Sequence, residues 1–501
     1  MELFNNLILG FTVASAGINL LYCLLGVFIG TLIGVLPGIG SVATIAMLLP
    51  ITFNLPPVAA LIMLAGIFYG AQYGGSTTAI LVNLPGESSS VVTCIDGHAM
   101  AKQGRAGAAL AIAALGSLFA GIIGTTLIAV AGPPLAEVAL KFGAPEYFSL
   151  MLTGLVCAAV LARGSLLKSL AMVTVVLLIG IVGTDVNSGM SRFTFGLWGL
   201  SDGVGFVVVA MGVFGLAEIV NNLGVTFTAR DLLTKKITGL WPTWPDFKLS
   251  FGPMLRATLI GSFFGPLPGT GSTITAFASY ALEKKLAKDP SRFGRGAIEG
   301  VAGPETGNNA SAQTTFIPML TLGIPGSASM ALMLGAMTIH GIAPGPQVMT
   351  SRPDLFWGVI ASMFIGNVML VMLNLPLIGI WVRLLRVPYR ILFPIIMVFM
   401  SIGVYSLNNS AFDVFLMSLF GLIGYAWVKL KCEVAPLILA LVLGPLMEES
   451  LRRALLISRG DPTVFFTRPI SLGFMIATAI FLLLFTVPMF RKKREELEVT
   501  D

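Results

Sequence analysis

Two short motifs of proline, glycine and serine recur in a chain of 501 residues that is 56% hydrophobic. They read GVLPGIGS at residues 34–41 and GPLPGTGS at residues 265–272, and both interrupt apolar segments. A helix broken at membrane depth leaves free N–H groups on one half and free C=O groups on the other. The N-terminal end of a half-helix favours an anion, and the C-terminal end favours a cation. The motifs therefore predict a binding site for an ion or a charged small molecule.

Neutral hydrogen-bonding residues surround the motifs. The segments 73–90 and 309–329 share a Thr-Thr pair, an apolar stretch, and Leu-Pro-Gly or Ile-Pro-Gly followed by serines. Glycine lets a ligand approach the backbone closely, and hydroxyl groups add donors. Many neutral donors with little fixed charge suit a multiply charged anion that must be released as well as bound. The predicted substrate-binding residues are Gly38, Gly40, Ser41, Ser76, Thr77, Thr78, Asn83, Pro85, Gly86, Ser88, Gly269, Gly271, Ser272, Thr273, Asn308, Asn309, Thr314, Pro325, Gly326 and Ser327.

The same serines and threonines also have a purely structural interpretation. Hydroxyl side chains in membrane helices commonly bond to backbone groups, so they could merely satisfy the groups that the breaks set free. The functional interpretation is favoured for the clusters beside the Pro-Gly breaks. Both interpretations stay open for any single residue.

Two glutamates are predicted to bind a coupling ion, either a proton or Na⁺. Glu87 follows a Pro-Gly pair directly, and Glu305 lies in the polar segment GPETGNNAS at residues 303–311. An acid at membrane depth is costly and marks a functional site by default. A loop at the membrane surface is the alternative for both, and Asp96 is expected to be a loop or cap residue.

The patterns that mark common enzymes are missing from the sequence. The segment GPLPGTGST resembles a phosphate loop in its glycine spacing but lacks the required lysine. The two histidines form no H-E-x-x-H motif, and no credible nucleophile elbow is present. We therefore predict no enzyme activity, no catalytic residue, no metal site and no cofactor apart from the coupling ion. The basic clusters flank apolar runs, which disfavours a nucleic-acid partner.

The elements that carry these residues are predicted to be membrane helices. Only 11% of the residues are charged, and the runs 107–131 and 471–490 carry no charge. The sequence therefore predicts an all-α polytopic membrane protein with about 10–12 transmembrane helices, since each span takes roughly 20 residues. Short apolar segments, such as 58–72 and 77–84, cluster near residues 34–95 and 265–335 and suggest broken or re-entrant helices. The stretch 251–282 is expected to turn back at Pro268 and Gly269.

The charge pattern of the loops predicts two inverted-topology repeats. The loop after the first motif is uncharged in the first half and basic in the second half, and the loop after the second motif shows the reverse. We expect a first repeat half at 1–230, a cytoplasmic linker at 231–250, a second repeat half at 251–490 and a cytoplasmic tail at 491–501. The C-terminus is therefore placed in the cytoplasm.

Together these motifs resemble the large membrane subunit of tripartite tricarboxylate transporters, the TctA family, over about residues 15–490. The family's glycine-proline motifs fall on residues 37–41, 83–90, 268–272 and 324–329. The resemblance implies a permease in the bacterial inner membrane that imports citrate-like di- and tricarboxylates, driven by a proton or sodium gradient. It also implies two partners, a small four-helix membrane subunit and a periplasmic substrate-binding protein.

Three functions remain open from the sequence. The first is this binding-protein-dependent importer, for which inverted hairpins suggest an elevator-type movement. The second is a stand-alone ion-coupled carboxylate carrier that needs no binding protein. The third is a channel or structural membrane subunit, which the paired broken helices disfavour. The identity of the carboxylate and of the coupling ion is not encoded in the motifs.

Overall fold

The computed structural model describes residues 2–36, 40–162, 165–185, 188–222, 239–384, 389–432 and 435–486. Within these ranges the chain is almost entirely helical, with 23 α-helices. One short antiparallel sheet pairs β1 (Gly183–Thr184) with β2 (Ser191–Arg192). A π-helical turn at Met211–Leu216 separates α9 from α10.

The helices of the first part of the chain are α1 (Glu2–Ala14), α2 (Gly17–Val35), α3 (Ser41–Thr52), α4 (Pro57–Val82), α5 (Val91–Lys102), α6 (Ala106–Ala139), α7 (Ala144–Leu161), α8 (Leu166–Gly180), α9 (Phe206–Ala210) and α10 (Ala217–Asn222). Those of the second part are α11 (Trp244–Phe264), α12 (Gly271–Leu286), α13 (Glu299–Thr314), α14 (Phe316–Leu322), α15 (Ala328–Ile339), α16 (Gln347–Ser351), α17 (Pro353–Asn374), α18 (Ile378–Leu384), α19 (Tyr389–Asn408), α20 (Ala411–Lys429), α21 (Ala435–Ile457), α22 (Val464–Thr467) and α23 (Pro469–Thr486).

Six helices in the described ranges, α2, α4, α6, α7, α17 and α20, are long and apolar enough to cross a membrane. Several shorter apolar helices accompany them, among them α3, α8 and α15. The chain is therefore an all-α polytopic membrane protein, as its composition predicts. The inverted relation between the two halves stays a prediction.

Helix α4 corrects the prediction of two short segments at 58–72 and 77–84, because it runs unbroken for 26 residues. Glycines that suggested a break instead allow close packing against α2. A Cβ on Gly74 would collide with the carbonyl oxygen of Thr31, and a Cβ on Gly34 would collide with that of Ala71. Small residues spaced by four let membrane helices approach closely. The glycines in this contact are Gly26, Gly30, Gly34, Gly66, Gly70 and Gly74.

Helix α11 begins inside the predicted linker 231–250, of which residues 231–238 lie outside the described ranges. Thr243 and Asp246 form a reciprocal cap at its N-terminus. After α11 the backbone leaves the helix at 265–270, and α12 follows. Gly269 has φ of +82°, which a side chain disfavours. The predicted turn therefore lies where the motif placed it, while a re-entrant path from one membrane face stays a prediction.

Candidate functional site

The second half of the chain contains two breaks that lie side by side. One separates α11 from α12, and the other separates α14 from α15. The N–H of Gly269 in the first break donates to the carbonyl oxygen of Gly326 in the other, at 3.1 Å. The Thr315 hydroxyl donates to the carbonyl oxygen of Gly265 at 2.8 Å. Main-chain and side-chain hydrogen bonds thus join the two Pro-Gly motifs into one structure.

A cavity of about 190 Å³ opens at this junction. The first residue of α12, Gly271, and the N-cap and first residue of α15, Ser327 and Ala328, lie on its wall. The free N–H groups of a helix N-terminus attract negative charge. Two helix N-termini therefore face the same cavity, which favours an anion there.

The described residues that line this cavity are all neutral. Its hydroxyl groups come from Ser88, Thr270, Thr273 and Ser327, and Ser88 is supplied by the first half of the chain. Backbone at Gly269 and the other glycines completes the polar side, and the remaining lining is apolar. The apolar lining residues are Ala158, Leu161, Ala162, Ile274, Ala328, Pro436 and Leu439. Hydroxyl and amide donors therefore lie at this cavity, and the binding of an anion by them stays a prediction.

The first half of the chain uses its break differently. The N–H of Ser41, the first residue of α3, donates to Oε1 of Glu87. The N–H of Gly40 donates to Oε1 of Glu218 at 3.4 Å. The N-terminus of α3 therefore faces two carboxylates of the protein itself. Glu218 was missed from the sequence, where its only signal is an acid within a short apolar helical segment.

Hydroxyl contacts connect the two halves next to the cavity. The Ser88 and Thr273 hydroxyl oxygens lie 2.9 Å apart, and those of Ser41 and Ser329 lie 3.4 Å apart. Residues of all four predicted motifs are thus brought into one region. Sequence pairing of the motifs anticipated the elements involved, although not which hydroxyls would meet.

Glu305 lies fully buried in α13, so the surface-loop alternative is wrong for this residue. Its carboxylate accepts hydrogen bonds from the hydroxyls of Ser76 and Thr93, and from Nδ2 of Asn308 at 3.4 Å. Nδ2 of Asn309 donates to Asn308 Oδ1 at 2.6 Å. Every donor to the carboxylate in the described part of the chain is neutral. A buried charge without a cationic partner is expensive, which singles out this residue.

Other predicted residues lie away from the large cavity. The Thr78 hydroxyl donates to the carbonyl oxygen of Val35 at 3.0 Å, and that of Thr314 donates to the carbonyl oxygen of Ala310 at 2.9 Å. These two hydroxyls bond to backbone carbonyls, as the structural interpretation holds. Ser76 and Thr77 border a smaller cavity. Asn308 and Asn309 belong to the Glu305 hydrogen-bond network.

The remaining predicted residues shape the breaks. Asn83 ends α4 in the left-handed conformation, with φ of 61°. A Cβ on Gly86 would collide with the carbonyl oxygen of Gly34, so this glycine permits a close approach of two backbones. Pro85 and Pro325 directly precede Gly86 and Gly326 within the breaks, and Ser272 is the second residue of α12. Gly38 lies outside the described residues.

Asp96 corrects the loop alternative for this residue, because it lies inside α5 and is fully buried. Its Oδ1 accepts three backbone N–H bonds, from Gly294, Gly296 and Ala297, at 2.8–2.9 Å. The Tyr280 hydroxyl donates to Oδ2 at 2.9 Å. Asp96 therefore acts as a cap. From α5 it fixes the backbone segment that leads into α13.

An ion pair joins α11 and α12, the two helices on either side of the break at Gly269. Arg256 of α11 makes two parallel contacts with the Glu283 carboxylate of α12, at 2.9 and 2.6 Å. Bidentate pairs of this kind fix geometry as well as contribute energy. On the opposite side, the Cys157 thiol of α7 donates to the carbonyl oxygen of Pro268 at 3.2 Å. The break at Gly269 is thus held from two directions.

Comparison with known proteins identifies relatives along the whole chain. The chain is 56% identical over 501 residues to the "Uncharacterized 52.8 kDa protein in TAR-I ttuC' 3'region" of Agrobacterium vitis, covering 100% of both. It is also 56% identical over 241 residues to the "Uncharacterized protein in TAR-II ttuC' 3'region" of the same organism. That match covers 48% of this chain and 100% of the relative. No solved structure matches.

The family comparison agrees with the motifs. The description "Tripartite tricarboxylate transporter TctA family" matches residues 20–439, which include both pairs of breaks and the buried network around Glu305. The resemblance inferred from the sequence is thereby confirmed. The protein is a multi-pass membrane component of a transporter, and it belongs to the tripartite tricarboxylate transporter TctA family.

Proposed function

We propose that the chain is the large permease subunit of a secondary transporter that imports di- or tricarboxylates across the bacterial inner membrane. The observation that carries this proposal is the cavity of about 190 Å³ onto which the N-termini of α12 and α15 both open. A carboxylate matches such a site because helix N-termini supply N–H donors and a partial positive charge. Family membership independently favours this substrate class.

The neutral character of the described lining residues favours transport over permanent capture. Ser88, Thr273 and Ser327 offer hydroxyl donors that hold an anion without a fixed opposite charge. Each such bond to a charged group makes a net contribution of roughly 1.5–3 kcal/mol. Several donors acting together bind the anion, and none makes its release prohibitively slow. This balance is what a carrier needs on the side where it delivers the substrate.

Glu305 and Glu87 are proposed to couple transport to a gradient. Glu87 accepts a hydrogen bond from the Ser41 N–H at the first-half break, and Glu305 accepts one from Ser76 of α4, the helix that leads into the break after Val82. Binding of a proton or Na⁺ at either acid would therefore change the contacts of these segments. An elevator-type movement of the broken helices against the long helices is the proposed route between the two sides. A small four-helix membrane subunit and a periplasmic binding protein are the proposed partners.

Uptake of a labelled carboxylate panel tests the proposal. Cells would express the chain with its membrane partner, with and without the binding protein. We expect saturable uptake that requires the binding protein. Saturable uptake without it would favour the stand-alone carrier, and unsaturable flux would favour a channel. Absence of uptake for every carboxylate, with the chain present in the membrane, would refute the proposed substrate class.

A further inference from the structure

We propose that a sodium ion binds in a second, smaller cavity beside Glu305, enclosed by α4, α6 and α17. The inference rests on the proposed function and deepens it, because it names the coupling ion and locates its site. The cavity measures about 10 Å³, which is roughly the room that one water molecule or one small ion occupies. It is separate from the larger cavity at the second-half breaks and shares no lining residue with it.

The cavity is lined by oxygen-bearing side chains from three helices. Tyr73, Ser76 and Thr77 come from α4, Ser117 comes from α6, and Asn374 is the last residue of α17. The rest of its lining is aliphatic and comes from Leu110, Ala113, Ala114 and Leu375. Hydroxyl and amide oxygens are hard ligands that suit cations of the alkali and alkaline-earth type rather than transition metals.

Asn374 supplies the second observation that points to a ligand. Its Nδ2 donates to the carbonyl oxygen of Leu370 at 2.9 Å and to the Thr31 hydroxyl at 3.5 Å. Its Oδ1 is buried and has no hydrogen-bond partner in the described ranges. Only 5% of the residue is exposed, so bulk water does not readily satisfy this oxygen. A buried acceptor without a partner is destabilising and calls for a bound ion or donor. A cation in the adjoining cavity would satisfy this oxygen.

The Glu305 carboxylate supplies the negative charge that a cation requires, and the Ser76 hydroxyl connects it to the cavity. The Ser76 hydroxyl borders the cavity and also donates to the Glu305 carboxylate. On the far side, Asn309 Nδ2 donates to the Ser117 hydroxyl oxygen at 2.8 Å, and the Asn309 amide continues through Asn308 to the same carboxylate. The Glu305 network therefore reaches the cavity at two points. A cation there would offset a buried charge that otherwise has only neutral partners.

The geometry favours sodium over the other coupling ions. A proton would bond to the carboxylate itself and would need neither a cavity nor an unpaired amide oxygen. A divalent cation is usually bound by several carboxylates, whereas Glu305 is the one acid in this network among the described residues. A single charge beside five neutral oxygens matches a small monovalent cation.

Thermal unfolding of the purified full-length chain, without any carboxylate, tests this site. NaCl would replace KCl at constant ionic strength, because an ion that binds only the folded state stabilises it by RT ln(1 + [Na⁺]/Kd). We expect the unfolding midpoint to rise with the logarithm of the Na⁺ concentration once that concentration exceeds Kd. Asn374→Leu keeps the approximate volume and removes the oxygen, so the rise should begin at a Na⁺ concentration roughly tenfold higher or more.

A matched control and a second variant keep the test decisive. Ser362→Ala lies on the same helix and is equally buried, but the Ser362 hydroxyl bonds to the carbonyl oxygen of Val359 in its own helix, so its Na⁺ response should match the wild type. Thr77→Val removes a different lining oxygen and replaces Asn374→Leu if that variant does not fold.

Failure of this inference is distinguishable from failure of the proposed function. Equal midpoints in Na⁺ and K⁺, or an unchanged Na⁺ response in Asn374→Leu and Thr77→Val, would overturn the sodium site even if carboxylate uptake is observed. Absence of carboxylate uptake with an intact Na⁺ response would instead refute the proposed function and leave the sodium site standing.

Discussion

The two halves of the chain begin helices after the same Pro-Gly-x-Gly-Ser pattern, yet the helix N-termini meet different surroundings. In the first half, the Ser41 N–H at the start of α3 donates to the Glu87 carboxylate. In the second half, α12 and α15 begin at a cavity of about 190 Å³ whose described lining residues carry no charge. When the motifs LPGESSS and IPGSAS are paired, Glu87 falls opposite Ser327.

This difference teaches that a repeated backbone break does not by itself make a binding site. We propose that the side chain at one position decides whether a helix N-terminus is neutralised by the protein's own carboxylate or stays available to an anion. In the first half, a tethered carboxylate occupies the kind of position that we propose for the substrate carboxylate in the second half. The predictions below exchange or weaken these features, beginning with the largest expected effect.

Ser327→Glu should give the largest effect, because it places a tethered carboxylate at the second-half break and copies the first half. A tethered group acts at an effective concentration in the millimolar range or above, so it should compete strongly with free substrate. We expect the half-saturating carboxylate concentration to rise roughly 100-fold or more in uptake assays. Ser327→Gln has the same size without the charge and should have a clearly smaller effect. Equal losses in both variants would assign the effect to size alone.

Gly269→Leu should disrupt the second break itself. The residue has φ of +82°, and a Cβ there would lie 2.7 Å from the Cα of Ala158. Forcing a side chain into the left-handed region costs about 1–2 kcal/mol before any clash, so uptake should fall at least roughly tenfold while the chain still inserts. Gly473→Leu is the matched control, since a Cβ at Gly473 has open space. Uptake at the wild-type level in Gly269→Leu would contradict the site assignment.

Glu87→Ser should make the first half resemble the second by freeing the N-terminus of α3. The Ser41 N–H loses its carboxylate, so we expect the variant to be destabilised by about 1–3 kcal/mol in thermal or denaturant unfolding. Added formate should restore stability more in this variant than in the wild type, because a small carboxylate can take the vacated position. A formate response identical to that of the wild type would contradict the role of Glu87 as a built-in anion.

Substitutions of two threonines should distinguish a substrate-binding role from a structural role, and their expected effects are the smallest of this series. Thr273→Val removes a hydroxyl that lines the large cavity, so the half-saturating substrate concentration should rise roughly tenfold. Thr78→Val removes a hydroxyl that bonds to the carbonyl oxygen of Val35, so it should lower stability by about 1 kcal/mol and leave substrate affinity unchanged. The reverse pattern would place the substrate near α4 instead.

The sequence predicted the local features of the site better than its long-range contacts. The breaks near Gly269 and Gly326 were visible because proline and glycine act on their own backbone. The contact of Glu218 with Gly40 was not visible, since it joins positions 178 residues apart. The same limit explains why Thr78 was grouped with Thr273, although only the second borders the large cavity. The gap between the apolar segments 58–72 and 77–84 suggested a broken α4, but that helix is continuous and packs closely against α2.

A structure determined with a transported carboxylate bound tests the central claim most directly. The account predicts the anion between the N-termini of α12 and α15, within hydrogen-bond distance of Ser88, Thr273 or Ser327, while Glu87 keeps its bond to the Ser41 N–H. A carboxylate found at the N-terminus of α3 with Glu87 displaced, or at any place away from the second-half breaks, would contradict it.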